Sequence, residues 1–289
     1  GCYGHLSVPD ADTAAQHPSG RPLHTGKAWK EMIHRYAASA LGLVIIGLNV
    51  LAWRRAAARA FTGALLVLVV FQGVLGMWTV TLLLKPLVVL GHLLGGFSVL
   101  ALLWVLLLRQ RASVPPAAAP VPRLHTARAL AWVALGVVVA QVMLGGWTST
   151  NYAALACPGF PRCLGEWWPS MSFDQAFVPW HGLGIDYEGG ILDSPTRLAI
   201  HMTHRLGALV TAATVLATAA AAWRATLRGP ALALLGALGL QLALGIANVT
   251  LYLPLPVAVA HNAGAALLVL CVVTLVYRLH APAGAAARA

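Results

Sequence analysis

Four histidines are set apart by their neighbours and spacing. His34 lies in Glu31-Met32-Ile33-His34-Arg35, and His92 follows 58 residues later; His204 lies in His201-Met202-Thr203-His204-Arg205, and His261 follows 57 residues later. The first histidine of each pair precedes an arginine, and the second is followed three residues on by Gly95 or Gly264. A lone histidine in an apolar helix is ordinarily a hydrogen-bonded core residue. Two matched pairs at equivalent places are a ligand pattern, and two facing imidazoles are an axial set for haem iron. Zinc fits less well. Its structural sites take four protein ligands and its catalytic sites three, whereas each pair offers two clear imidazoles plus Glu31 or His201.

The elements that must carry these residues are membrane helices. The chain is 59% hydrophobic and 9% charged, against about 25% charged residues in soluble domains. Apolar runs long enough to cross a hydrocarbon core of ~30 Å recur near 28–53, 61–82, 86–108, 127–150, 196–223, 229–252 and 255–278. The expected fold class is all-α and polytopic. All four histidines fall a turn or two inside the outer ends of inward-running helices, and cofactor sites in bundles are built from facing helices.

The net charge of +11 marks topology, not nucleic-acid binding. Arg54, Arg55, Arg59, Arg109, Arg111, Arg123, Arg128, Arg224, Arg228, Arg278 and Arg288 occupy connections that hold no acid, whereas all eight acids lie on the opposite side. Lys/Arg excess identifies the cytoplasmic side. The N-terminus and the long 151–195 loop therefore face outward, and both histidine pairs lie near the outer face. Trp167, Trp168, Trp180 and Tyr187 in that loop suit the headgroup zone.

An internal repeat organises the chain. Offsets of 170 and 169 align His34 with His204 and His92 with His261, and the same register pairs Gln72-Gly73-Val74-Leu75-Gly76 with Gln241-Leu242-Ala243-Leu244-Gly245. A third copy, Gln141-Val142-Met143-Leu144-Gly145, opens the second half. It has no counterpart in the first, while Cys163-Leu164-Gly165 matches Cys2-Tyr3-Gly4. The expectation is two pseudosymmetric four-helix bundles: seven helices in this chain and eight in a parent whose first helix, with a partner for Cys2, lies upstream. A seven-helix architecture is the alternative. The divisions are an N-terminal half 1–110, a proline-bearing cytoplasmic linker 111–126 and a C-terminal half 127–289.

Several side chains carry two readings. Cys157 and Cys163 lie in the outward loop, where disulfides persist; a disulfide stands against two free thiols or a metal pair. Cys271 is read as a small packing residue. Arg35 and Arg205 each cost roughly 2.5–3.5 kcal/mol in a membrane helix; they meet haem propionates or snorkel to the interface. Glu31, one turn before His34, transfers protons or stabilises developing charge near a haem edge, or it is an interfacial acid paired with Lys27 or Lys30. Its counterpart is His201. That asymmetry assigns chemistry to the first half and a permanent electron-transfer cofactor to the second.

Together these residues resemble the haem A synthase family, which oxidises haem O to haem A for terminal oxidases. The resemblance rests on Glu31-x-x-His34-Arg35, His92, Ile200-His201-x-Thr203-His204-Arg205-Leu206-Gly207 and His261. Leu144-Gly145-Gly146-Trp147-Thr148-Ser149-Thr150-Asn151-Tyr152 and Tyr187-Glu188-Gly189-Gly190 are similar to its proteobacterial branch. It implies haem b on His204 and His261, substrate haem O on His34 and His92, and a catalytic role for Glu31. It implies stepwise oxidation of the porphyrin C8 methyl to a formyl, through hydroxylations and loss of water. It also implies a bacterial inner membrane, haem O and the haem O synthase as partners, and an electron donor of unassigned identity. Some members carry a cysteine pair in the first outer loop, where this chain shows Cys2. Two competing readings use the same ligands: a non-catalytic dihaem or quinol-linked cytochrome, and a haem-transfer or oxidase-assembly protein without catalysis.

Overall fold

The computed structural model describes residues 5–16, 23–110 and 120–280. Its described residues form a short helix α1 (Ala11–Ala15) and seven long ones: α2 (Thr25–Ala52), α3 (Ala56–Thr81), α4 (Pro86–Gln110), α5 (Val121–Thr150), α6 (Ser194–Arg224), α7 (Arg228–Thr250) and α8 (Leu255–His280). All seven are long and apolar enough to cross a membrane. Even α7, with 23 residues, rises about 34 Å at 1.5 Å per residue. The chain is a multi-pass all-α membrane protein, as its apolar runs predict. Helix α5 begins at Val121, inside the segment expected as linker, because Pro122 sits in its first turn, where a missing N–H costs nothing. Cys2 and residues 111–119 lie outside the described residues.

The chain divides into two compact units, Gly1–Thr81 and Leu82–Ala289. In the first, α2 packs along α3, and Tyr36 Oη donates to the Leu6 carbonyl at 2.6 Å. Helix α2 buries Met32 and Ile45 and exposes much of its remaining surface.

In the second unit α5, α6, α7 and α8 form a closed ring, each packing on the next and α8 returning to α5. This order puts α6 and α8 at opposite corners. Helix α4 lies against α5 and α8, where Trp104 Nε1 donates to Thr274 Oγ1 at 2.7 Å. Ala127, Ala131, Ala134 and Val138 of α5 meet Val215, Ala219, Leu234 and Val272 in the main core. Small side chains let membrane helices approach closely.

Backbone conformation repeats with the sequence. Leu83 and Leu84 after α3, and Tyr252 and Leu253 after α7, are left-handed at φ between 55° and 60°, at the same offset of 169 that relates His92 to His261. Tyr152 after α5 is left-handed too. Thus the eleventh residue after Gln72, Gln141 and Gln241 has one conformation in all three copies. Helices α5 and α7 close alike, Ala153 N donating to Thr148 O at 2.9 Å and Leu253 N to Asn248 O at 2.7 Å, as a left-handed helix cap requires.

The long loop between α5 and α6 is tied down within the second unit. Trp147 Nε1 donates to Ala176 O at 2.7 Å, and Tyr187 N to Leu83 O at 3.1 Å. Lys85, 2% exposed, donates from Nζ to Gly182 O at 2.5 Å and lies over the Trp180 ring; burial lowers its pKa. Trp167, Trp168 and Trp180 are exposed, as expected of interfacial aromatics, but Tyr187 is buried. Its backbone is bonded to the α3–α4 turn, which draws the ring inward. Cys157 and Cys163 form a disulfide. Cys271 is half-buried, with Sγ toward the Ala233 carbonyl.

Candidate functional site

Within the four-helix ring, His204 and His261 project from the two opposite helices. His204 is the eleventh residue of α6 and His261 the seventh of α8, about 15 and 9 Å along their axes. On α5 and α6 the band at Gln141 and His204 falls between two apolar clusters. The main core lies beyond it on one side, and Leu90, Trp147, Ala153, Ala199 and Ile200 lie on the other.

Each imidazole is met by a glutamine from the neighbouring helix. Gln141 of α5 places Nε2 3.1 Å from His204 Nδ1 and donates to the His204 carbonyl at 2.9 Å. Gln241 of α7 places Nε2 3.4 Å from His261 Nε2. Glycines make both approaches feasible. A Cβ on Gly145 would stand 3.1 Å from His204 Cε1, and one on Gly245 3.1 Å from His261 Cε1. A Cβ on Gly207 or Gly264 would collide with the amide oxygen of Gln141 or Gln241 respectively. Each hairpin is thus reciprocal, histidine lying over the glycine of one helix and glutamine over the glycine of the other.

His201 and Arg205 serve a different purpose. His201, 4% exposed, donates from Nδ1 to Ala153 O at 3.0 Å and accepts from Arg205 Nε at 3.2 Å. Both nitrogens of a neutral ring are then used, and none remains for a metal. Arg205 Nη2 also donates to the carbonyls of Cys157 and Gly159, each at 2.8 Å. The arginine therefore fastens the disulfide loop to α6. Its Nη1 is buried without a hydrogen-bond partner.

On α2, His34 is exposed, and Glu31 pairs with Arg35 at 3.1 Å. The side chains of Arg35 and Glu31 are 41% and 37% exposed, so the pair is screened and contributes at most ~1 kcal/mol. His92 is half-buried on α4 in the second unit. Among the described residues no three His, Cys, Asp or Glu side chains cluster to hold a bare metal ion. The glutamine contacts are what the sequence pattern did not interpret. Gln-x-x-x-Gly was visible only as a repeat marker, although its recurrence opposite His-x-x-Gly was the available signal.

A family model described as a cytochrome oxidase assembly protein, COX15-CtaA, matches residues 1–273. The chain belongs to that family. It is 44% identical over 285 residues to a Shewanella oneidensis protein described as heme A synthase, covering 96% of this chain and 86% of that protein. Proteins so described from Rhizorhabdus wittichii and Granulibacter bethesdensis are each 30% identical. These matches span 82% and 87% of this chain, and 67% and 66% of the respective relatives.

Proposed function

We propose that this chain is a haem A synthase, an oxidoreductase that converts the C8 methyl of haem O to a formyl and so supplies haem A to terminal oxidases. The observation that carries the reading is the similarity to the Shewanella oneidensis protein along nearly the whole chain. The His204–His261 arrangement gives it a chemical basis. The second half, 127–289, holds haem b through these imidazoles; when bound, that group relays single electrons. The local fit is good, because His261 Nδ1 and Arg205 Nη1 are buried polar atoms without partners and Gly145 and Gly245 leave room for flat rings. Arg205 Nη1 offers its remaining hydrogens to a propionate, and Arg35 is the equivalent group for the substrate.

In the first half, 1–110, His34 receives haem O as substrate, and Glu31 is the catalytic carboxylate. Its pairing with Arg35 holds the carboxylate one turn from His34. A carboxylate there accepts a proton or stabilises positive charge developing on the reacting carbon. The arginine-bearing connections face the cytoplasm, so both sites lie near the outer face of a bacterial inner membrane. Haem O arrives from its synthase, and a separate electron donor of unassigned identity partners the protein.

Co-expression with a haem O source, followed by pigment extraction, tests the reading. Haem A is expected to accumulate with the protein and not with a Glu31→Ala variant. Recovery of haem O alone, beside intact haem b, would instead favour a non-catalytic dihaem cytochrome.

A further inference from the structure

We propose that Gln141 and Gln241 are positioning residues for the His204 and His261 imidazoles, each fixing one ring nitrogen from the adjacent helix so that the other faces the iron. This rests on the haem b reading of the second half and extends it to residues outside the ligand set. Three observations carry it. An amide–imidazole contact occurs twice, Gln141 at His204 Nδ1 and Gln241 at His261 Nε2. Each occurrence has its own pair of glycines, one beneath the imidazole and one beneath the amide. Moreover, the amide oxygens of both glutamines are buried without hydrogen-bond partners, although buried polar atoms are normally satisfied.

The idle oxygens have a use once iron takes one nitrogen of each ring. A neutral imidazole then carries its proton on the other nitrogen, which becomes a donor. In the metal-free tautomer Gln141 donates to His204 Nδ1 and to the His204 carbonyl; with the proton on that ring nitrogen, the amide turns, its oxygen accepts from the ring, and the bond to the carbonyl is given up. The oxygens of an amide and its nitrogen exchange places by a half-turn with little change in shape. An acceptor behind a metal-bound histidine fixes the ring plane and raises ligand basicity. Higher basicity favours ferric over ferrous iron, so these glutamines hold the potential of haem b low.

Potentiometric titration of the purified, haem-loaded protein tests this, using Gln141→Leu, Gln241→Leu and the corresponding Glu variants. The Leu variants should retain a haem b band, bind haem on the order of 10-fold more weakly, and show a higher midpoint potential. A tenfold change in ferrous-over-ferric preference reads as ~59 mV. The Glu variants, with a stronger acceptor, should move the potential the other way. If a Leu variant fails to accumulate, its Glu partner still reads the sign. Wild-type potential and haem affinity in the variants that accumulate would overturn the proposal. Failure of the underlying reading looks different: His204→Ala and His261→Ala would then keep their haem b whatever the glutamine variants do.

Discussion

On α2, Glu31 lies one turn before Arg35 in a partly exposed side-chain pair, and the histidine between them is exposed. On α6, His201 holds the place of Glu31, and its partner Arg205 again lies four residues on, with Nε 3.2 Å from the ring. There the resemblance stops. The α6 turn is fixed from three sides: by Gln141 on His204, by Ala153 on His201, and by the Cys157 and Gly159 carbonyls on Arg205. The duplicated pattern is thus used in two ways, once as a fixed mount and once as an accessible charged turn. A mount suits a resident cofactor, and an accessible turn suits a substrate that enters and leaves.

The comparison breaks most visibly through the histidines themselves. His204→Ala should remove haem b altogether, and haem A synthesis with it. His34→Ala should abolish haem A while the haem b band in a reduced-minus-oxidised spectrum keeps its full height. Equal loss of haem b from both variants would erase the distinction between the two turns.

Next in size is the exchange of acid for imidazole. Glu31→Gln keeps the shape and removes the charge, and haem A yield should fall by about 10²-fold or more, the scale of positioned proton transfer. His201→Gln should lower thermal stability while haem A formed per folded molecule stays within a few-fold of the parent. Pigment analysis normalised to haem b checks both. A Glu31→Gln variant with the parent's yield would reassign the carboxylate to the surface.

The arginines sharpen the contrast energetically. Arg205 makes charged hydrogen bonds to two carbonyls and a ring nitrogen, and bonds of this type contribute roughly 1.5–3 kcal/mol each. Arg205→Leu should therefore cost at least about 3 kcal/mol in detergent unfolding and release the disulfide loop to proteolysis. Arg35→Leu should cost under ~1 kcal/mol, as exposed ion pairs do. Similar losses for the two would show that both turns are mounts.

The seven spans were legible because burial in lipid demands long apolar runs, and their ends shifted by only a few residues. Pro122 moved one boundary most, since proline reads as a breaker yet is welcome in a first turn. The disulfide was readable from two cysteines six residues apart in the loop between α5 and α6. Arg205 was not. Insertion energetics called for an anion, but two loop carbonyls and an imidazole occupy most of its donors, and residues some 45 apart in sequence give no local sign of meeting. Lys85 escaped for the same reason. Its partners Trp180 and Gly182 come from a loop whose path no periodicity encodes.

The smallest effect concerns how each turn's helix begins. Helix α6 starts on Asp193, whose carboxylate accepts from Thr196 N at 3.0 Å, while His24 before α2 makes no side-chain cap. The Thr196 bond holds the Asp193 carboxyl below its ordinary range. A depressed carboxyl pKa stabilises the folded form above the unfolded pKa, and that stabilisation is lost as pH falls through the folded value. Hydrogen exchange at the Thr196 amide should therefore stay slow at neutral pH and quicken relative to its intrinsic rate only once the pH falls below the ordinary aspartate range. Asp193→Ala should remove the pH step, and the first turn of α2 should show none. An α2 amide stepping in the same window would mean that an acid caps that helix too, and the difference between mount and accessible turn would begin only after the first turn.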